Sequence, residues 1–512
     1  MEIELKLLID PDDVPSFRRN PLLAQHAIAK PRVQRLTTTY FDTPDLFFRK
    51  HGAALRVRRV ARHWIQTLKA GGQAAAGLHQ RHEWESRASG PRPDLAALRE
   101  LVARDAEWTS ALSDATLADQ LAPIFKTRFR RTIWLLRFGS DVDVELALDQ
   151  GAVEHDAARV PVSEIELELK SGDPAKLFEF ALELQASIPL RVSNVSKSER
   201  GFALHAPGPP VVLKAAPLQL SARASVEAGL QAIVGNCLLQ IQGNETGVVQ
   251  GDDVESVHQM RVGVRRLRFA LRLFDQVAPC PAALRAELKW LAEALGAARD
   301  WEVLAGTTLA EVEKACRAEN GLAQLRIAAQ SLARENWKQA ATAVSSERYS
   351  RLLLALGYWM QTAHAQETLP PAQQAVLAAP LAKFSARMLK LWHAKLLKQG
   401  GRLQRATPES RHQVRIVTRR VRFAAEFFVS LYPPRRMRPY VKTLIALQDE
   451  LGRLNDAAVA SGLLRHLAQA DAGLAESAGF VNGYLSSGAQ RGARNLDKRW
   501  KKFEQIERPQ RK

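Results

Sequence analysis

Two runs of this sequence place carboxylates at every second residue. Near the start, Glu2, Glu4 and Lys6 alternate with Ile3, Leu5 and Leu7; later, Glu164, Glu166 and Glu168 alternate with Ile165, Leu167 and Leu169. A period of two belongs to a strand with one apolar and one charged face. The alternation recurs in Leu55-Arg56-Val57-Arg58, in Arg81-His82-Glu83-Trp84-Glu85 and over 142–149. A solvated sheet face usually mixes Lys, Glu, Thr and Gln, whereas these faces sort, with carboxylates on the first and last strands and guanidiniums on Arg56 and Arg58. If such a sheet closes on itself, the charged faces line a lumen and the aliphatic faces pack outward under helices. Carboxylates gathered in a lumen repel one another unless a hard divalent cation sits among them, and oxygen donors favour Mg2+ or Mn2+ over zinc. Arginines and lysines on neighbouring strands would then hold an anion that the metal also binds. A phosphate chain fits that description, because guanidinium forks match its oxygens. Glu164 and Glu85, taken individually, read as carboxylates of the outer rim or of the solvent face.

A second set of cations repeats. The segment from His258 through Arg261, Arg265, Arg266 and Arg268 to Ala270 recurs as His412, Arg415, Arg419, Arg420 and Arg422 to Ala424, and Leu295-Gly296 with Asp300 recurs as Leu451-Gly452 with Asp456. Two copies of one helical unit are implied. At about 100° per residue, His258, Arg261, Arg265, Arg268 and Arg272 fall within an arc of roughly 80° between two apolar strips. No acid stands on this helix from His258 to Phe274 to offset the like charges, so the stripe calls for an anion from elsewhere. In the second copy Glu426 stands where the first has Arg272.

The elements that must position these residues divide the chain. Turn residues at Thr43-Pro44, Gly71-Gly72, Gly139-Ser140, Gly151 and Ser171-Gly172 punctuate short strands before residue 205, as in an antiparallel sheet or barrel. From about residue 221 the segments are long and rich in Ala, Leu, Arg and Glu, hence helical. Pro207-Gly208-Pro209-Pro210 separates the two regimes. Of the net charge of +19, the residues before 211 carry +1 (29 basic, 28 acidic) and the remainder +18 (44 basic, 26 acidic). A neutral half joined to a cationic half suggests two tasks, the second directed at a polyanion. The chain has 512 residues, 46% hydrophobic and 25% charged, which excludes disordered and collagen-like classes and predicts ordinary globular cores. Three cysteines suggest neither a disulfide framework nor a cysteine metal site. There is no uncharged apolar run of membrane-spanning length and no basic, then apolar, leader at the start, so the expectation is a cytoplasmic protein without a membrane partner.

The first half resembles the CYTH domains, the triphosphate tunnel metalloenzymes. The likeness rests on Glu2-Ile3-Glu4-Leu5-Lys6, Tyr40-Phe41-Asp42-Thr43-Pro44, Leu55-Arg56-Val57-Arg58, the strand of Lys69, Gly77 to Glu83, Ala147-Leu148-Asp149-Gln150-Gly151, Glu164 to Glu168 and Ser196-Lys197-Ser198. The resemblance implies an eight-stranded antiparallel tunnel over residues 1–205 that binds a triphosphate and processes it with a divalent metal. By position it makes Glu2, Glu4, Glu166 and Glu168 metal ligands, and sets Glu83 and Asp149 near a second metal or the attacking water. Lys6, Arg56, Arg58, Lys69, Arg81, Arg131 and Lys197 then grip phosphates, Lys69 also counting among the catalytic groups. Around Lys126 to Arg131 basic residues fall on both faces, leaving open which of Arg128, Arg130 and Arg131 points inward; Arg128 and Arg131 are kept as substrate-binding candidates.

The second half, about 221–505 after a linker at 206–220, resembles the CHAD domain through both HxxRxxxRRxR copies. That family implies two related helical bundles, here about 221–365 and 375–505, with a basic groove for inorganic polyphosphate. His258, Arg261, Arg265, Arg266, Arg268, His412, Arg415, Arg419, Arg420 and Arg422 are the groove candidates. Nucleic acid is disfavoured as a partner, since aromatics are 7% of the residues and no stacking platform is evident. The expected whole is an α+β multidomain enzyme that hydrolyses inorganic triphosphate with Mg2+ or Mn2+ and binds polyphosphate, with association with polyphosphate granules as a further expectation. An adenylate cyclase, a thiamine or nucleoside triphosphatase, and a non-catalytic polyphosphate-binding protein remain as alternatives.

Overall fold

The computed structural model describes residues 1–511 except 61, 252, 317–320, 363–368, 402 and 404–406. The chain separates into two compact units: 1–209 with 346–362, and 210–345 with 363 onward.

In the first unit, β1 (Glu2–Ile9), β2 (Arg32–Asp42), β3 (Ala53–Val60), β4 (His63–Ala75), β5 (Leu78–Ala88), β6 (Ala122–Phe138), β7 (Val142–His155) and β8 (Ala158–Ser171) form an antiparallel sheet in the order β5-β4-β3-β2-β6-β7-β8-β1. Pairing of Glu2 to Leu5 with Arg81 to Leu78 closes it into an eight-stranded barrel. A short strand, β9 (Leu190–Val192), adds to the end of β1. Closure turns the alternation of each strand into an inside and an outside. On β1, Leu5 and Leu7 are fully buried on the outer face, under helix α1 (Ala175–Gln185), whose Phe178, Phe180 and Leu184 are also buried. On β3 and β4 the outward Leu55, Val57 and Leu68 pack with Phe48, Leu98 and Trp108 in a separate apolar cluster.

Helix α2 (Lys197–His205) opens with a capping box in which Ser196 and Glu199 satisfy each other's backbone amides, two orphan donors closed at once. Its Phe202 joins Tyr40, Phe125, Val153 and Val162 in an apolar plug. Those four barrel positions all point inward, so the plug fills the lumen at that level. A helix further along the chain, Glu347–Thr362, also belongs to this unit: Ser350 accepts from Val192 of β9 at 3.3 Å, and Gln185 of α1 donates to the carbonyl of Glu347.

The second unit is helical. Its long members are α3 (Val226–Gln242), α4 (Val254–Leu273), α5 (Ala282–Glu302), α6 (Leu322–Ser345), α7 (Leu381–Gly400), α8 (Pro408–Phe427), α9 (Pro434–Ala470) and α10 (Ala475–Glu504). The two arginine segments are α4 and α8. They meet through the rings of Phe269, Phe423 and Phe427. Near the end of α10, Trp500 is 4% exposed and its ring occupies the space beside Gly400. Among the described residues no helix is long and apolar enough to cross a membrane.

Candidate active site

Register decides which charges meet inside the barrel. Across β1, β8 and β7 three rows form. Glu4 lies opposite Glu168, which lies opposite Glu145; Lys6 lies opposite Glu166, opposite Ala147; Leu8 lies opposite Glu164, opposite Asp149. From the other side of the barrel, β3 contributes Arg56 and Arg58, β4 Lys69, and β5 Arg81 and Glu83. One cavity is lined by Glu2, Glu4, Lys6, Arg56, Arg58, Lys69, Arg81, Arg131, Glu145, Glu166, Glu168 and Lys197, with Tyr40 as its aromatic member.

The deeper rows are already neutralised. The Lys197 ammonium, carried in on the first turn of α2, lies 2.6 Å from Asp149, 2.6 Å from Glu164 and 2.9 Å from Glu166. Arg131 clasps Asp149 with two bonds of 2.8 and 2.7 Å and reaches Glu166 at 2.6 Å. Lys6 lies 3.1 Å from Glu166, and Arg200 lies 2.9 Å from Glu164. Burial alone would push the carboxyls of Asp149 and Glu166 toward the neutral acid, yet Lys197, with Arg131 for Asp149 and with Lys6 for Glu166, lowers the first and holds the second well below the usual carboxylate range. Burial likewise opposes the charge on Lys197 and Arg131, and the surrounding carboxylates outweigh it and raise both. These are buried, charge-assisted pairs.

The upper row is different. Glu4 is buried but brought down to about 2, mainly by Lys6. Among the described residues the one ion pair of Glu168 is with the half-exposed Lys170, at 2.6 Å. Glu2, 2.5 Å from Lys69, is pushed up to about 7 by burial, with Glu4 and Glu83 adding to the rise. Glu83 meets Lys69 at 3.2 Å and Arg56 at 3.3 Å; burial opposes its charge, but these two cations lower its pKa. Asp149, Glu164 and Glu166 do place oxygens within 4.8 Å of one another, but Lys197 stands at their centre, so a metal there would have to displace it. The donor set with carboxylates in excess of cations is Glu2, Glu4, Glu168 and Glu145, and an oxygen-seeking divalent ion fits that set. Opposite it, Arg58 is 3.1 Å from Thr38, its only hydrogen-bond partner among the described residues, and burial beside Arg56 and Arg131 pushes it down to about 9. A buried guanidinium next to two others is a place for an anion.

Several expectations change in detail. Arg128 points out of the barrel and pairs with Glu154 at 3.4 Å, because the inward face of β6 takes the odd residues Phe125, Phe129 and Arg131; of the three arginines in doubt, Arg131 is the one inside. Glu164 is not a rim carboxylate but is fully buried. Asp149 has both oxygens engaged and no exposure, so it orients Arg131 and Lys197 and is not free to take a proton from water. Glu166 is likewise enclosed by cations. Glu145 and Arg200 escaped the sequence reading; alternation within Val142 to Asp149 was the signal for the first, and for the second nothing local was available.

In the helical unit, Arg265, Arg268, Arg272, Arg419 and Arg420 line one groove of about 480 Å3 together with Phe269, Ile416 and Phe423. The first arginine of each copy has a partner on the following helix: Arg261 meets Asp300 at 3.0 Å and Arg415 meets Asp456 at 3.7 Å. No carboxylate lies within ion-pair distance of Arg265, Arg268, Arg419 or Arg420 among the described residues. Burial, then neighbouring guanidiniums, push Arg265 down to about 8, Arg419 to about 9 and Arg420 to about 10. Arg422 pairs with Glu426 at 3.4 Å. His412 bonds Asn455 at 2.8 Å, and burial and three arginines lower the pKa of His258. Arg266 leaves the stripe: it is 5% exposed, donates to Gln240 and Asn236 of α3, and stacks over Phe427.

A closed antiparallel barrel whose lumen sets carboxylates against guanidiniums defines a tunnel domain, here accompanied by a duplicated helical domain with a basic groove. Comparison with known proteins bears this out: a model of the CYTH domain matches residues 1–202 and one of the CHAD domain residues 232–465. The solved CHAD domain of the plant Ricinus communis is 42% identical with a TM-score of 0.54, over 59% of this chain and 99% of that one. The chain therefore belongs to the CHAD family and carries a CYTH domain before the CHAD domain. An inorganic triphosphatase of Haemophilus influenzae is 36% identical over 207 residues, which are 40% of this chain and 54% of that protein. The chain thus spans about half the length of this curated relative.

Proposed function

We propose that the tunnel hydrolyses inorganic triphosphate to pyrophosphate and phosphate with Mg2+ or Mn2+, and that the arginine groove of the helical unit binds inorganic polyphosphate. The observation that carries the first reading is the carboxylate row Glu4, Glu168 and Glu145, with fewer paired cations than the deeper rows, sharing one cavity with Arg56, Arg58, Lys69 and Arg81. A linear anion lying between these walls would have its oxygens held by the guanidiniums and by Lys69. Glu2, Glu4, Glu168 and Glu145 would hold the cation, which when bound supplies charge neutralisation on the phosphate chain and acidifies a coordinated water. Arg131, fixed by Asp149 and Glu166, presents one edge to the lumen without needing to reorganise, as electrostatic catalysis of phosphoryl transfer requires. Glu83, ionised beside Lys69 and Arg56 and partly exposed, would orient the attacking water.

An inorganic rather than a nucleoside substrate is favoured by the lining, whose one aromatic ring, Tyr40, is already stacked on Phe125 at 4.5 Å between centroids. Tyr40 is 4% exposed, so its ring offers little surface to a base. The setting proposed is the cytoplasm, with access to polyphosphate granules. Phosphate release from tripolyphosphate in Mg2+ or Mn2+, measured for wild type and Glu4→Ala, tests the tunnel; equal rates would remove it from the chemistry. A panel adding ATP, thiamine triphosphate and long-chain polyphosphate, with product analysis, separates triphosphatase from cyclase. Binding of long polyphosphate without turnover of any triphosphate would mark a purely binding protein.

A further inference from the structure

At the rim of the barrel, where β7 ends, two histidines meet. His155 ends β7 and His205 ends α2, and Nε2 of His155 lies 3.3 Å from Nδ1 of His205, their rings 4.7 Å apart. The other nitrogen of His155, Nδ1, lies 2.7 Å from the backbone carbonyl of Ile124. A carbonyl can only accept, so this bond puts the proton on Nδ1 and leaves the Nε2 lone pair facing His205. An imidazole oriented by a backbone carbonyl in this way is the usual supporting arrangement of a metal-ligating histidine. Asp156, in the turn between β7 and β8 at φ 50, has Oδ2 3.5 Å from the same Nε2 and a side chain that is 89% exposed and free to rotate.

The spacing of the two histidine nitrogens matches two ligands of a tetrahedral ion, and Asp156, already 3.5 Å from His155, would complete the set by rotating toward His205. Two nitrogens each 2.0 to 2.1 Å from a tetrahedral zinc are separated by about 3.3 to 3.4 Å, and a nitrogen and a carboxylate oxygen by nearly the same. We propose that His155 Nε2, His205 Nδ1 and Asp156 form a binding site for a borderline transition-metal ion, Zn2+ in the first instance, distinct from the oxygen-rich tunnel. On binding, His205 carries its proton on Nε2, so both rings ligate in the neutral form and no net proton is released by the histidines. Two imidazoles and a carboxylate suit Zn2+, Ni2+ or Cu2+ and discriminate against Mg2+. The ion would tie the last residue of α2, the helix that delivers Lys197, to the β7–β8 hairpin.

The test is zinc titration of the full chain by calorimetry, after removal of metals and in excess Mg2+ to occupy the tunnel, for wild type, His155→Gln, His205→Ala and Asp156→Ala. The expected result is a zinc site in wild type that both histidine variants lose and Asp156→Ala weakens roughly tenfold. Zinc should also raise the melting temperature of wild type but not of His205→Ala, since an ion bound only to the folded state stabilises it. Melting without zinc confirms that each variant folds. Wild type without zinc binding, or His205→Ala binding zinc as wild type does, overturns the site.

Discussion

The ammonium of Lys197 lies 2.6 Å from Oδ2 of Asp149, with their side chains 7% and 0% exposed. Glu164 and Glu166 complete its shell. A lysine near the start of one helix is therefore the common counter-ion of three carboxylates on two adjoining strands, and it fastens α2 to the barrel wall.

Removing that counter-ion should be expensive. Lys197→Met leaves a buried carboxylate cluster short of one charge, and breaking a buried pair from one side costs about 3 to 5 kcal/mol. Denaturant unfolding measures it; a loss below about 1 kcal/mol would show that Arg131, Arg200 and Lys6 suffice.

Gly201 lies one turn beyond Lys197 on α2, and a Cβ there would come within 2.1 Å of the Phe125 ring. Gly201→Ala must push α2 away from the plug, at about 1 to 3 kcal/mol for overpacking. Because the same shift withdraws Lys197, triphosphate turnover should fall alongside stability. An alanine variant with wild-type melting and turnover would contradict the tight seat.

Glu145 should behave as part of the metal row. Glu145→Ala is expected to weaken Mn2+ binding to the apoprotein roughly tenfold, read by direct titration, with a smaller effect for Asp143→Ala, whose carboxylate pairs with Arg137 on the exposed side. Unchanged Mn2+ affinity in Glu145→Ala would restrict the row to Glu2, Glu4 and Glu168.

His79, 1% exposed and opposite Glu4 in the β1–β5 pairing, is pushed down to about 4, chiefly by burial and then by Lys6. Between pH 6.5 and 4 the unfolded chain takes up this proton and the folded one does not, so stability falls as pH falls through that window. The loss from this group amounts to about 3 kcal/mol. His79→Gln should flatten the stability profile there and leave it unchanged above pH 7; an identical slope would assign the acid sensitivity to other groups.

In the helical unit, Arg265→Ala with Arg419→Ala should weaken polyphosphate binding and reduce the steepness of its salt dependence, because fewer counterion-releasing contacts remain. The unliganded variant should lose little stability, since buried like charges have been removed. Unaltered affinity would exclude the stripe as the binding surface.

The face each strand offers to the lumen was legible in the residues alone. Alternation at Glu2 to Leu7, at Arg56 and Arg58, and at Glu164 to Leu169 needs only the pleat of a strand, and the repeated arginine segments need only the pitch of a helix. Periodicity does not separate Arg266 from its counterpart Arg420: both stand off the 80° arc, yet Arg420 lines the groove and Arg266 turns to Gln240 and Asn236 of α3. Where a pattern was locally degenerate it was mute: Arg128, Arg130 and Arg131 offer bases on both faces, and Asp300 and Asp456 compensate Arg261 and Arg415 from another helix.

What only the tertiary structure decided is how the charges are shared. Pairing of β1 with both β5 and β8 put Glu4 beside Glu168 and Lys6 beside Glu166, and the return of the chain through α2 placed Lys197 among Asp149, Glu164 and Glu166. Coulomb energies between buried groups change within a few ångströms, a scale far finer than sequence spacing resolves. Residue types thus determined that carboxylates and cations would face one lumen; closure of the barrel determined which carboxylates are enclosed by the protein's own cations and which meet fewer of them.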